Sequence, residues 1–189
     1  MKYNQRLGEL YKEWDDYDFV YLYFNPNAVI EEGKHETVYL HQIGIYDLIK
    51  NSSPSIAAKA KMEEEITKII KDRIKHEEMG QIKTPKSRIV ADYRDIVFSL
   101  GRSSLYYYYI GIIDKKEDYY SANGHINVTF FDKFADPFQM DRLIEKLQKN
   151  NAPNFVVNLA KKIPTDCFGT VYDITDEWSW HFNILISEI

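Results

Sequence analysis

Cysteine is almost missing from this chain. Cys167 is the only one in 189 residues, so an internal disulfide and a cysteine-rich zinc site are both excluded, a pattern that fits a reducing compartment. Glycine and proline are sparse, at 8 and 6 residues, which rules out collagen-like and low-complexity chains. No run of ~18 uncharged apolar residues occurs, and Met1 to Trp14 carries no apolar signal-peptide core. The expectation is a cytoplasmic protein with no membrane partner, with export as an effector by a signal-less route left open. Also missing are a phosphate-binding loop, a G-x-G-x-x-G fingerprint, a G-x-S-x-G elbow and H-E-x-x-H, which argues against the ordinary nucleotide hydrolases, dinucleotide enzymes, serine esterases and zinc proteases. No cofactor is expected. Positive charge is in the minority: the formal net charge is −5, which disfavours general nucleic-acid binding. The richest basic stretch, Lys59 to Arg88, is interrupted by Glu63, Glu64, Glu65, Glu77 and Glu78 and reads as a solvated helix face.

What is present suits one globular core. With 44% hydrophobic and 28% charged residues the chain is predicted to form a single domain over 1–189, more helical in 1–100 and richer in strand in 101–189. Leu7, Leu10, Tyr11 and Trp14 follow the cap Asn4 at helical spacing, and residues 19–24 form an aromatic strand. Residues 36–50 read as a strand passing into a short helix. From Ser55 to about Met79 the stripe of Met62, Ile66, Ile69, Ile70 and Ile74 predicts the longest helix, with Gly80 as its stop.

Thr84-Pro85 reads as a cap and first-turn proline opening a further helix, with Ile89, Tyr93, Ile96, Val97 and Leu100 inward and Gly101 closing it. Residues 104–113 form a strand, a turn runs through Ser121, Asn123 and Gly124, and His125 to Phe131 returns as a half-buried strand. Asp136-Pro137 opens a helix with Met140, Leu143, Ile144 and Leu147 buried, a short helix covers 154–163, and strands near Phe168–Ile174 and Trp178–Ser187 end the chain. The fold class expected is α+β, an antiparallel sheet with helices packed mainly on one face.

The sharpest chemical feature is a duplicated tetrad, His125-Ile126-Asn127-Val128 and His181-Phe182-Asn183-Ile184. Strand periodicity puts His125 with Asn127, and His181 with Asn183, on one polar face each. On neighbouring strands, two imidazoles able to act as acid and base would meet two amides, which makes these four the candidate catalytic residues. The same residues equally suit an exposed sheet face with no chemistry. Cys167 with His181, oriented by Asp173 or Asp176, is a second candidate arrangement; a small buried hydrophobe is the plainer role for the thiol. Asp132, Asp136, Asp173 and Asp176 fall at strand ends, where caps and turns account for them, and no metal site is assigned. Tyrosine reaches 15 residues, and the run Tyr106, Tyr107, Tyr108, Tyr109 places two rings on each side of its strand, as a binding surface for a protein partner or a carbohydrate or as a thick aromatic core.

The tetrads resemble the paired His-x-Ser/Thr strands of two-histidine phosphoesterases, with Asn at both hydroxyl positions. Residues 92–136 resemble uncharacterised carboxy-terminal modules of bacterial polymorphic toxins: a helix ending in Leu100-Gly101, an aromatic strand over Tyr106 to Gly111, and a strand over Val128 to Phe134 closing on an Asp-aromatic turn. This covers about a quarter of the chain and carries over no catalytic residue. It implies a toxin or effector-like module. The acidic balance instead fits an immunity or adaptor protein that neutralises a basic partner without catalysis.

Overall fold

The computed structural model describes residues 37–97, 100–134, 148, 149, 154 and 172–187. The helix expected at 4–14, the strand at 19–24, the helix after Asp136, nearly all of 154–163 and Cys167 lie outside them. The described chain combines two helices with a mixed sheet of six strands: β1 (Thr37–Tyr39), α1 (Tyr46–Lys50), α2 (Ser53–Lys75), β2 (Gly80–Lys83), β3 (Ser87–Asp92), β4 (Arg102–Lys115), β5 (Tyr119–Phe134) and β6 (Tyr172–Ser187). The strand order is β1-β6-β5-β4-β2, with β3 also paired to β4.

β4, β5 and β6 dominate the sheet because each alternates apolar and polar residues over many positions. Leu105, Tyr107, Tyr109 and Ile113 of β4, Ala122, Ile126, Val128 and Phe130 of β5, and Ile174, Trp178, Phe182 and Ile186 of β6 are buried on one face. The α2 stripe of Ala58, Met62, Ile66, Ile70 and Ile74 belongs to the same core. Tyr107 donates its phenolic hydrogen to Glu65 of α2, Lys59 of α2 sits over the Trp180 ring, and Tyr46 of α1 meets Trp178 edge-on at 6.1 Å. At the start of α2, Ser55 Oγ donates to Ile49 O at 2.6 Å and bonds the buried Tyr93 hydroxyl at 2.8 Å. Burial pushes the Tyr93 phenol up to about 12.

Four expectations change. The sheet is mixed, since β1 runs parallel to β6 while the other pairings are antiparallel. Three residues suffice because Leu40 N donates to Thr175 O at 3.1 Å and His41 N to the Asp176 carboxylate at 2.8 Å, extending the pairing past Tyr39.

Thr84-Pro85 opens no helix. Thr84 N donates to Tyr109 O at 2.9 Å and Tyr109 N donates to Thr84 Oγ1 at 2.8 Å, so the side chain that reads as a helix cap serves a strand. Proline also biases the residue before it away from helix, and it has no N–H to offer a ladder. Pro85 therefore splits one edge into β2 and β3, both lying along β4. Tyr93, Val97 and Leu100 are buried as expected, but from a strand end and a tight turn in which Ile96 N and Val97 N return to Tyr93 O.

The β4–β5 hairpin forms, but its turn lies at 116–118, where Lys116 N donates to Tyr119 O at 2.8 Å. Ser121, Asn123 and Gly124 are inside β5. Gly124 faces Gly111 directly across β4, and the Tyr109 ring lies over both: a Cβ on Gly111 would fall 2.1 Å from the Tyr109 hydroxyl. Phe182 meets that ring edge-on at 5.8 Å.

Gly80 does not stop α2. The helix ends at Lys75, and Glu78 N donates to Arg73 O while Glu77 N donates to Ile74 O, the paired bonds of a Schellman ending. Glu77 takes the left-handed position at φ 57, which glycine fills without a Cβ penalty. Glu77→Gly should raise stability by about 0.5–1 kcal/mol, read as a higher urea midpoint at unchanged slope; a lower midpoint would refute the assignment.

Candidate functional site

The face opposite the aromatic core carries the exposed polar side chains of β5 and β6, with Ile110, Ile112 and Leu185 at one end. Antiparallel pairing of β5 with β6 puts His125 directly opposite His181, Asn123 opposite Asn183 and Asn127 opposite Ser179. The two tetrads thus lie on adjoining strands, with their histidines as cross-strand partners. The imidazole centroids are 5.4 Å apart and nearly perpendicular, at 79°. His125, His181, Asn123 and Asn183 are exposed, and Asn127 is half-buried.

His181 Nε2 donates to Asn123 Oδ1 at 3.0 Å, which leaves Nδ1 of that ring as its acceptor nitrogen. Asn127 Nδ2 makes a long 3.5 Å contact with His125 O. Beside the pair is a shallow pocket of about 240 Å³ whose polar lining comes from Tyr108, Asn127, Thr129, Glu177 and Ser179. Thr129 Oγ1 donates to Glu177 Oε1 at 3.2 Å, forming its far wall.

The tyrosine run divides as strand geometry requires. Tyr107 and Tyr109 are buried in the core, so they leave the candidate binding set: their rings are spent on Glu65 and on the glycine pair. Tyr106 and Tyr108 are half-buried on the histidine face. Cations from the β2–β3 edge lie over them: Lys83 is 5.5 Å from the Tyr108 centroid, Lys86 5.3 Å and Arg88 6.0 Å from that of Tyr106. Arg88 Nε also donates to Ser104 Oγ at 3.0 Å. The face is therefore ordered in rows, with cations at the edge, rings on β4, amide, hydroxyl and imidazole groups on β5, and Ser179, His181 and Asn183 on β6.

Asn123 and the cation row join the face from segments whose sequence reads as a turn and as a solvated helix. Asn123 sits two positions before His125, where continued alternation places it, although Ser121-Ala122-Asn123-Gly124 has the composition of a turn. Lys86 and Arg88 fall in the helix that Thr84-Pro85 predicts, and a helix scatters side chains that a strand aligns.

Asp176 does not orient His181. It lies on the core side of β6, opposite Phe130, and is buried. Its Oδ2 accepts from His41 N at 2.8 Å and is 2.7 Å from His41 Nδ1, while Oδ1 accepts from Glu177 N at 2.8 Å. Residues 41 and 176 are 135 positions apart, so no local pattern announces the pair. Asp132 is held by Ser103 Oγ at 2.9 Å and Lys133 N at 2.7 Å, and burial pushes its carboxyl up to about 6. Among the described residues, no three His, Cys, Asp or Glu side chains group to hold a metal ion, and no helix is long and apolar enough to cross a membrane. No family model, curated protein or solved structure matches the chain.

Proposed function

We propose that this chain is an effector-like module, of the kind its local resemblance to bacterial polymorphic toxin modules implies, and that its working surface is the His/Asn-lined sheet face. The carrying observation is the direct opposition of His125 and His181, 5.4 Å apart and open to solvent. Imidazole exchanges protons near neutrality, so two of them within reach of one reacting group supply an acid and a base together. The Asn123–His181 hydrogen bond supports the reading by holding one ring in a defined tautomer. The reading takes helices to pack mainly on the other face, leaving this one for a target in the cytoplasm of the host cell.

Expression in a bacterial host tests it. The chain should slow growth, and the double variant His125→Ala with His181→Ala should restore it. Both side chains are exposed, so the unfolding free energy of the variant from urea titration should stay within about 0.5 kcal/mol of the parent. Unimpaired growth with the parent, or equal harm from the variant, would sink the proposal.

A second reading is an acidic immunity or adaptor protein with a protein partner. It is favoured by Ile110, Ile112 and Leu185, which are 44%, 49% and 67% exposed at one end of the same face and offer apolar contact area. Here expression is harmless, a basic partner binds stoichiometrically, and Ile112→Glu abolishes that binding.

A further inference from the structure

We infer that the target of this face is single-stranded RNA, cleaved by transesterification between the two histidines; the inference rests on the effector reading above and names its substrate. The net charge of −5 is a sum over the whole chain, and it hides a local arrangement of the opposite sign. Lys83, Lys86 and Arg88 form a row along the sheet edge, facing the rings of Tyr108 and Tyr106. A phosphate backbone following that row meets cations that exchange their hold on a ring for a phosphate.

Tyr106 and Tyr108 stand two residues apart on β4, a spacing of about 6.8 Å along an extended strand, enough for two unstacked bases each to take one ring. Next to them the pocket lined by Tyr108, Asn127, Thr129, Glu177 and Ser179, of about 240 Å³, offers amide and hydroxyl groups to base edges or ribose, with the Glu177 carboxylate on its far wall engaged by Thr129. Asn127 and Ser179 are each two positions from a histidine on the same face. A nucleotide seated in the pocket therefore has its phosphate beside the imidazoles.

The chemistry needs only what RNA brings. His181, with Nε2–H engaged by Asn123, takes the proton of a ribose 2′-hydroxyl on Nδ1. The 2′-oxygen bonds to the adjacent phosphorus, the bond from phosphorus to the 5′-oxygen breaks, and protonated His125 gives its proton to that oxygen. The products are a 2′,3′-cyclic phosphate and a 5′-hydroxyl, and proton exchange with water resets the pair. DNA lacks the nucleophile and is not cut.

The test uses the full chain, a fluorescently labelled single-stranded oligoribonucleotide, and its 2′-O-methyl counterpart, which has no free 2′-hydroxyl. The RNA should be cut to cyclic-phosphate ends, and the 2′-O-methyl strand bound but left intact. His125→Ala and His181→Ala should each slow cleavage at least about 100-fold with binding of the uncleavable strand nearly unchanged. By strand register the charged residues on this face are Lys83, Arg88, Asp92, Arg102, Asp114, Lys133, Asp173 and Glu177, with Lys86 over the Tyr106 ring. Lys83→Glu with Arg88→Glu should weaken binding at least about tenfold and flatten its salt dependence. No binding of the 2′-O-methyl strand at low salt, binding indifferent to the charge reversals, or binding without cleavage would each overturn the proposal. Growth inhibition that depends on His125 and His181 in a protein that neither binds nor cuts RNA would overturn the substrate alone and leave the effector reading standing.

Discussion

Gly124→Ala should cost about 3 kcal/mol or more, and at physiological temperature it should leave much of the chain unfolded. A Cβ at this position would lie 2.1 Å from Ile110 O, 2.5 Å from Gly111 Cα and 2.8 Å from the Tyr109 ring. The first two are backbone atoms of the neighbouring strand, and they cannot retreat without parting β4 from β5. Gly111→Ala has a different obstacle, since its closest neighbour is the end of the Tyr109 side chain at 2.1 Å, with Asn123 O behind it at 2.6 Å. Trimming Tyr109 therefore separates the two. In double-mutant cycles, Tyr109→Ala should couple favourably with Gly111→Ala by about 1 kcal/mol or more and couple more weakly with Gly124→Ala, whose nearest obstacles are backbone atoms. A urea midpoint for Gly124→Ala within experimental error of the parent would refute the close approach.

Asp132→Asn should have the second largest effect, and its size should depend on pH. The carboxyl is pushed up to about 6 by burial, against the partial opposition of its bonds from Lys133 N and Ser103 Oγ. Its charge in turn helps burial push the Tyr172 phenol upward. A folded-state value above the unfolded one means the folded chain holds the proton more tightly. The associated stability is fully present below the unfolded value near 4, is lost as pH rises through about 6, and is missing at neutral pH. Asparagine keeps an acceptor for Lys133 N and an amide for Ser103 while shedding the buried charge. The variant should exceed the parent in stability by on the order of 2 kcal/mol at pH 7 and match it near pH 4. Urea titrations across that range check this; a difference that does not change with pH would contradict it.

Much of this architecture was legible in the chain because it is written in short periods. The α2 stripe from Met62 to Ile74 repeats at helical spacing, and Ile126, Val128 and Phe130 repeat at strand spacing, so both elements and the sharing of one face by His125 and Asn127 follow from local pattern. Ile69 shows the limit of the stripe: it falls near the edge of the buried arc and is 38% exposed. What misled was punctuation. Thr84-Pro85 has the grammar of a helix start, and it lost to Tyr109, whose N–H and C=O both bond Thr84. Ser121-Ala122-Asn123-Gly124 has the grammar of a turn, yet its glycine is required beneath a tyrosine ring. Asp173 to Glu177 is polar enough to suggest a break between two strands, but β6 runs through it because His41 and Glu177 N satisfy Asp176. In each case the deciding partner is remote in sequence. The same holds for the cation row, which exists as a row only because β2 and β3 line one edge of β4.

The four consecutive tyrosines of β4 carry a further consequence for how the chain finds its native state. Sliding β4 one position along its neighbour would exchange Tyr107 and Tyr109 for Tyr106 and Tyr108, leaving aromatic residues on both sides as before. The run thus supplies bulk without an address, and the correct alignment depends on the small residues around it, where the Tyr109 ring fits over Gly111 and Gly124 and no other tyrosine of the run has such a seat. A chain that loses this notch faces two compact arrangements of similar energy, so the paired glycines act as the keyed tooth that keeps folding from stalling in a near-miss.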